Sequence, residues 1–165
     1  MPSEAARARA LQRGPGAWGF LLAHHGPGNL ERCYRFWVAN HPVWLCARCV
    51  GVYPVLAAVF AMQCAIQVPE GWWDIPWLFL LPVPALVDWG LARIGRRTGS
   101  NLGRTVSGVM LGLSLGRSIY LNMIRPARAL VVWHFGMLLA VAVLMETWAR
   151  WRSARRAGQE SRDGP

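Results

Sequence analysis

Residues 41–68 read HPVWLCARCVGVYPVLAAVFAMQCAIQV, a long apolar run that opens on a Cys-x-x-Cys pair. At about 1.5 Å per residue, such a run crosses a hydrocarbon core of about 30 Å with some tilt. It is read as a first membrane span over 43–68, with Pro54 about two turns in, where the missing backbone donor bends a helix. The cysteine pair brings chemistry to the mouth of that span. Two sulfurs separated by two residues can turn toward one point, which suits a tetrahedral metal site or a dithiol. Adding Cys33 and His41 gives four donors, Cys33, His41, Cys46 and Cys49, enough to fill one zinc or iron coordination sphere. The competing reading is that each Cys is a small apolar residue at home in a helix. Cys64 lies about 22 Å beyond Cys49 along a helix axis, in the opposite leaflet, and is read as packing.

The composition agrees with a membrane solvent. Hydrophobic residues make up 54% of the 165, and tryptophan occurs ten times, which a water-soluble domain of this size rarely shows. All 18 basic residues are arginine, against 8 acids, for a formal net charge of +10. These arginines lie between apolar segments and on the tails, with no nucleic-acid-binding motif beside them. They are read as orienting the chain in a bilayer and attracting anionic lipid, and nucleic acid is not expected as a partner. Four cysteines without framework spacing argue against a disulfide scaffold.

Working outward, residues 1–16 are expected to be a disordered tail and 17–150 one membrane domain, followed by a disordered basic tail over 151–165. The apolar piece 17–22 is too short to span and is expected to lie at the interface. The His24-His25 pair that follows is read as a solvated loop. The mixture of arginine and aromatic residues over 31–40 predicts a short interfacial helix. Residues 68–74 form an acidic turn with paired tryptophans. A second span, 75–91, is interrupted by Pro76, Pro82 and Pro84 and carries Asp88, for which Arg93, Arg96, Arg97 and Arg104 are the expected partners. A third span, 105–121, repeats Gly108, Gly112 and Gly116 every four residues, a small-residue stripe that lets another helix approach closely. Arg117 either snorkels to the surface or faces the interior. A fourth span, 129–148, carries His134, read as a hydrogen-bonded packing residue. The fold class expected is thus all-α: a polytopic membrane protein of four transmembrane helices plus a short N-terminal interfacial helix. Arginines crowd the amino-terminal region, the 94–104 connection and the carboxyl tail. By the positive-inside rule both termini should be cytoplasmic, in the cell (inner) membrane. That puts the four donors on the reducing side with Asp88, Arg97, Asn101 and Arg104 as polar neighbours, where stable disulfides are disfavoured.

The chain also resembles a family of small membrane proteins known as domain of unknown function 2085. The resemblance covers about residues 30 to 120. It is carried by Cys33, Cys46-Ala47-Arg48-Cys49, Gly51, Tyr53, Asp88, Gly95, Arg97, Asn101, Arg104, Gly108 and Gly112. It adds Arg48 and Tyr53 to the polar neighbours of the site. Tyr34 stands where the family has His, Val50 and Ser107 where it has Thr, Trp89 where it has Gly, Ala92 where it has Gln, and Gly99 where it has Ser. The resemblance implies a fold and supplies no reaction.

Three functions are weighed. One is a metal-binding or thiol-redox protein using zinc or iron at Cys33, His41, Cys46 and Cys49. Another is a membrane subunit or assembly factor in which the metal is only structural, with a homo-oligomer or another membrane protein as partner. The last is an enzyme acting on an anionic lipid headgroup through Asp88, Arg97, Asn101 and Arg104.

Overall fold

The structure is a computed structural model and describes residues 27–38, 41–93 and 100–160. The stretches 17–22 and 1–16, the His24-His25 pair and Arg97 lie outside those residues, as do the last five positions. What it describes is mostly helical, preceded by a small hairpin. A 3₁₀ turn over Pro27–Arg32 leads into strand β1, Cys33–Val38, which pairs antiparallel with β2, His41–Cys46. Then follow α1, Ala47–Ile66; α2, Asp74–Leu80; α3, Val83–Arg93; α4, Asn101–Ile124; and α5, Ala129–Glu160.

The hairpin corrects the expected interfacial helix over 31–40, and α1 begins at Ala47 instead of 43. CYRFWV and HPVWLC are rich in aromatic and branched residues, which suit a pleated, half-buried ribbon. Pro42, opposite Trp37, is tolerated because each strand of a two-stranded ribbon keeps a free edge. The stretch thus combines the aromatic content of an interfacial helix with a strand's pairing pattern, and pairing prevails.

Three segments are long and apolar enough to cross a membrane: α1, the Asp74–Arg93 stretch that joins α2 to α3, and Ala129–Arg155 within α5. The second breaks at Leu81 and Pro82, as its prolines predict. The third expected span, 105–121, lies within α4, which runs over 24 residues, about 36 Å at the helical rise. It is less apolar than α1 because it is the inner helix, burying Ser107, Gly108, Gly112, Ser114, Gly116, Arg117 and Ser118. Its neighbours turn Met62, Ile66, Leu80, Leu139 and Leu144 outward, an apolar exterior suited to lipid.

The glycine stripe is the seam between α1 and α4. A Cβ on Gly112 would stand 2.6 Å from the Val52 carbonyl oxygen, and one on Gly116 3.0 Å from that of Leu56. Gly51 of α1 answers from the other side, against the Thr105 carbonyl. Only residues without side chains allow backbones this close. Further along α4, His134 of α5 is buried between two serines, with Nδ1 2.6 Å from Ser118 Oγ and Nε2 3.2 Å from Ser114 Oγ. Ser114 Oγ also donates to the Leu78 carbonyl at 3.1 Å. The histidine is therefore the hydrogen-bonded packing residue expected of it, tying α2, α4 and α5 together.

Arg117 faces the interior. Its Nε and Nη2 donate to Asp74 at 2.7 and 3.0 Å, Nη1 to Gln63 Oε1 at 2.9 Å, and the Val68 and Pro69 carbonyls take the two remaining donors at 3.1 and 2.9 Å. All five guanidinium donors are used, which is what makes a buried arginine tolerable. At the other end of the bundle α5 continues past 148 to Glu160, so the part of the basic tail up to Glu160 is helical. Arg150 pairs with Glu146, and Arg152 and Arg155 lie over the Trp148 and Trp151 rings, all one turn apart.

Candidate functional site

The hairpin register decides what meets at the head of α1. Cys33, first in β1, is paired with Cys46, last in β2. Cys46 in turn is the residue before the first turn of α1, which carries Cys49. The Cys46 and Cys49 thiols are neighbours there, and none of the four cysteines is in a disulfide. Cys33 is buried with Trp44 and Leu30. Burial pushes its thiol up from the ordinary 9.0 to about 11; the neighbouring Cys46 adds to that, and the Arg104 guanidinium works against it.

A lone two-stranded ribbon is marginal in water, and this one is held by the N-terminal turn of α4. Ser100 caps that helix, its Oγ accepting from the Gly103 N–H at 3.2 Å. Asn101 Nδ2 donates to the Glu31 carbonyl at 3.0 Å, and Arg104 Nη1 donates to Asn101 Oδ1 at 3.1 Å. The Tyr34 hydroxyl lies 3.0 Å from Thr105 Oγ1, whose own proton faces the Ala47 and Asn101 carbonyls, each at 3.0 Å. Tyr34, which stands where the family has His, thus makes a strut between β1 and α4.

Arg48, between Cys46 and Cys49, forms an ion pair with Asp88 of α3. This corrects the partners expected for Asp88. Of the expected partners that are described, Arg93 pairs instead with Glu146 of α5 at 3.2 Å and Arg104 donates to Asn101, while Arg96 and Arg97 lie outside the described residues. Arg48 Nε is a buried donor with no partner among the described residues. Tyr53 does not join the site: it is 60% exposed on the outer side of α1. Of His41 only the backbone is described, and its pairing with Val38 at the turn corrects its expected place among the cysteines: it lies five residues from Cys46 along β2, about 16 Å at the strand rise. Among the described residues no three His, Cys, Asp or Glu side chains are grouped closely enough to hold a metal ion.

The structure therefore gathers Cys33, Cys46, Cys49, Arg48, Asp88, Asn101 and Arg104 at one end of the bundle. Sequence reasoning missed Tyr34 and Thr105, ordinary hydroxyls until the hairpin sets them against each other. It also missed the Arg48–Asp88 pairing. The signal there was an arginine and an aspartate near the same end of two different apolar segments.

Apolar segments of spanning length, an apolar exterior and internally paired charges define a helical integral membrane protein. A family model described as "Predicted membrane protein (DUF2085)" matches residues 30–118, more than half of the chain. The protein belongs to that family. No curated protein and no solved structure matches the chain.

Proposed function

We propose that the junction of the hairpin with α1 is a soft-metal site on the cytoplasmic face of the membrane, with Cys33, Cys46 and Cys49 as sulfur ligands. The observation that carries this reading is the register: Cys33 opposite Cys46, with Cys49 one turn into the helix that Cys46 begins. Three thiols outside any disulfide, from three consecutive elements, are the donor set that zinc or iron takes up as thiolates. The orphaned Arg48 Nε and the nearby Arg104 supply positive charge beside them, which offsets the charge of ionised sulfur. A metal there would pin β1, β2 and α1 together, a structural role, and the three sulfurs would draw in around it.

The cytoplasmic assignment rests on charge. Arg117, Arg125 and Arg128 fall toward the far end with Glu70 and Asp74, and every other arginine belongs by sequence to the cysteine end or the tails. In that reducing compartment thiols stay free. By the same account α4 crosses the bilayer as the inner helix of four. The lipid-headgroup reading has less to stand on, since Asp88 is engaged by Arg48, and Asn101 and Arg104 by each other and the hairpin.

The test is elemental analysis of protein purified in detergent without chelators. About one zinc or iron per chain is expected, lost in Cys46→Ser and Cys49→Ser and retained in Cys64→Ser. Wild-type protein without stoichiometric metal, whose thiols all alkylate freely, would refute the reading.

A further inference from the structure

At the end of the bundle away from these cysteines, a groove of about 700 Å³ opens between the last turns of α1 and α4 and the connection that follows α1. Cys64, Gln67, Glu70, Tyr120, Met123 and Arg125 line it. Its size lies in the range of small-ligand sites. We propose that it holds the headgroup of a zwitterionic phospholipid of the ethanolamine type, with the ammonium at Glu70 and the phosphate at Arg125.

Three observations support this occupant. The first is that the rim carries both signs of charge within reach of one headgroup. Arg125 Nη1 stands 3.6 Å from Glu70 Oε1, too long for a good charged hydrogen bond, and the Arg125 side chain is 70% exposed. It is free to swing to a phosphate at little cost. Glu70 stays anchored by Arg128 on its other oxygen, and a carboxylate has acceptor capacity left for an ammonium.

The second is that α1 and α4 both end here, at Ile66 and Ile124. Their carbonyl ends place partial negative charge at the groove, which favours a cation. An anionic lipid without an ammonium would bring no cation of its own to Glu70 and the two helix C-termini, and Arg125 and Arg128 would have to serve both the lipid and Glu70.

The third is the depth of the groove. Trp72 and Trp73, exposed on the same connection, mark headgroup level. Met123 and Ile124, half exposed on the groove wall, offer acyl chains an apolar path into the bilayer. The inference does not depend on the sulfur site.

The experiment loads the detergent-purified chain with equal amounts of phosphatidylethanolamine and phosphatidylglycerol and counts retained lipids by native mass spectrometry. Exposed charge pairs give only a few-fold each, so a preference of about three- to tenfold for the ethanolamine lipid is expected. Glu70→Gln should reduce it toward parity, and Arg125→Gln should lower the retention of both lipids. Cys64, on the groove wall, is a built-in reporter: its alkylation, read by peptide mass, should slow when the ethanolamine lipid is present. Equal retention of both lipids by wild type, or Cys64 labelling indifferent to lipid, would overturn the proposal whatever the variants do. Protection of Cys64 by soluble phosphoethanolamine as strong as that by the lipid would overturn the membrane source of the ligand.

Discussion

Replacing Arg117 by Met removes the cation at the centre of the far end of the bundle. Arg117 and Asp74 are 3% and 1% exposed, and the variant leaves the Asp74 carboxylate with the Gly71 N–H, at 3.1 Å, as its one remaining described partner. Gln63 Oε1 and the Val68 and Pro69 carbonyls lose their donors as well. Removing one member of a buried pair costs about 3–5 kcal/mol, because the other charge is left uncompensated. At about 2–4 °C per kcal/mol for a chain of this size, the midpoint of thermal unfolding in detergent should fall by about 10 °C. The double variant Arg117→Met, Asp74→Leu should regain more than half of that loss, since no buried charge then remains. The assay is size-exclusion chromatography of heated samples. A single variant as stable as wild type, or a double variant no better than the single, would refute the view that Arg117 and Asp74 form a mutually dependent pair.

Two further outcomes follow from the geometry. Gly112→Val puts a Cβ 2.6 Å from the Val52 carbonyl oxygen and should cost about 1–3 kcal/mol by overpacking, whereas Gly136→Ala, with nothing within 4 Å of the added carbon, should cost nothing in the same thermal assay. The Cys33 thiol ionises near 11 in the fold against 9.0 ordinarily, so the folded chain holds that proton more tightly than the unfolded one. Its contribution to stability is complete below the unfolded value and is lost as pH rises through the folded one. Alkylation at Cys33, followed by peptide mass, should be slow at about pH 8 and accelerate toward alkaline pH, and fast labelling at neutral pH would contradict the assigned burial.

Hydropathy was enough to locate α1, the broken α2–α3 segment and the apolar part of α5, because lipid-facing helices must be apolar whatever they pack against. The glycine stripe on α4 was legible for a related reason: a period of four in the smallest residue has few uses other than close helix approach. The hairpin was not legible. Its aromatic and arginine content fits an interfacial helix equally well, and the difference lies in the pairing of Cys33 with Cys46, a relation between strands that no local pattern carries. The partner of Asp88 was missed on similar grounds. Nearby arginines on its own segment were the natural choice, yet the packing of α1 and α3 against the same helix, α4, brings Arg48 to it. Asp74 read as one more acid in a turn until Arg117, on another helix, was seen to reach it.

Both ends of α4 hold down something that has no stability of its own: the hairpin at the N-terminal end and the 67–73 connection at the other. If the thiols are positioned by α4, lesions along the glycine stripe should differ in kind as well as degree. A Cβ on Gly108 would collide with the Arg48 carbonyl, and Arg48 lies between Cys46 and Cys49. On Gly116 it would meet the Leu56 carbonyl and Val59, about two to three turns further from the sulfurs. Gly108→Ala should therefore shift α1 at its first turn and change the alkylation rates of Cys46 and Cys49, while Gly116→Ala lowers thermal stability and leaves those rates alone. Peptide-level labelling of the two variants, compared at temperatures equally far below their midpoints, separates the cases. Equal effects on the thiols would mean that α1 moves as one rigid body, and that the hairpin rather than α4 fixes where the sulfurs stand.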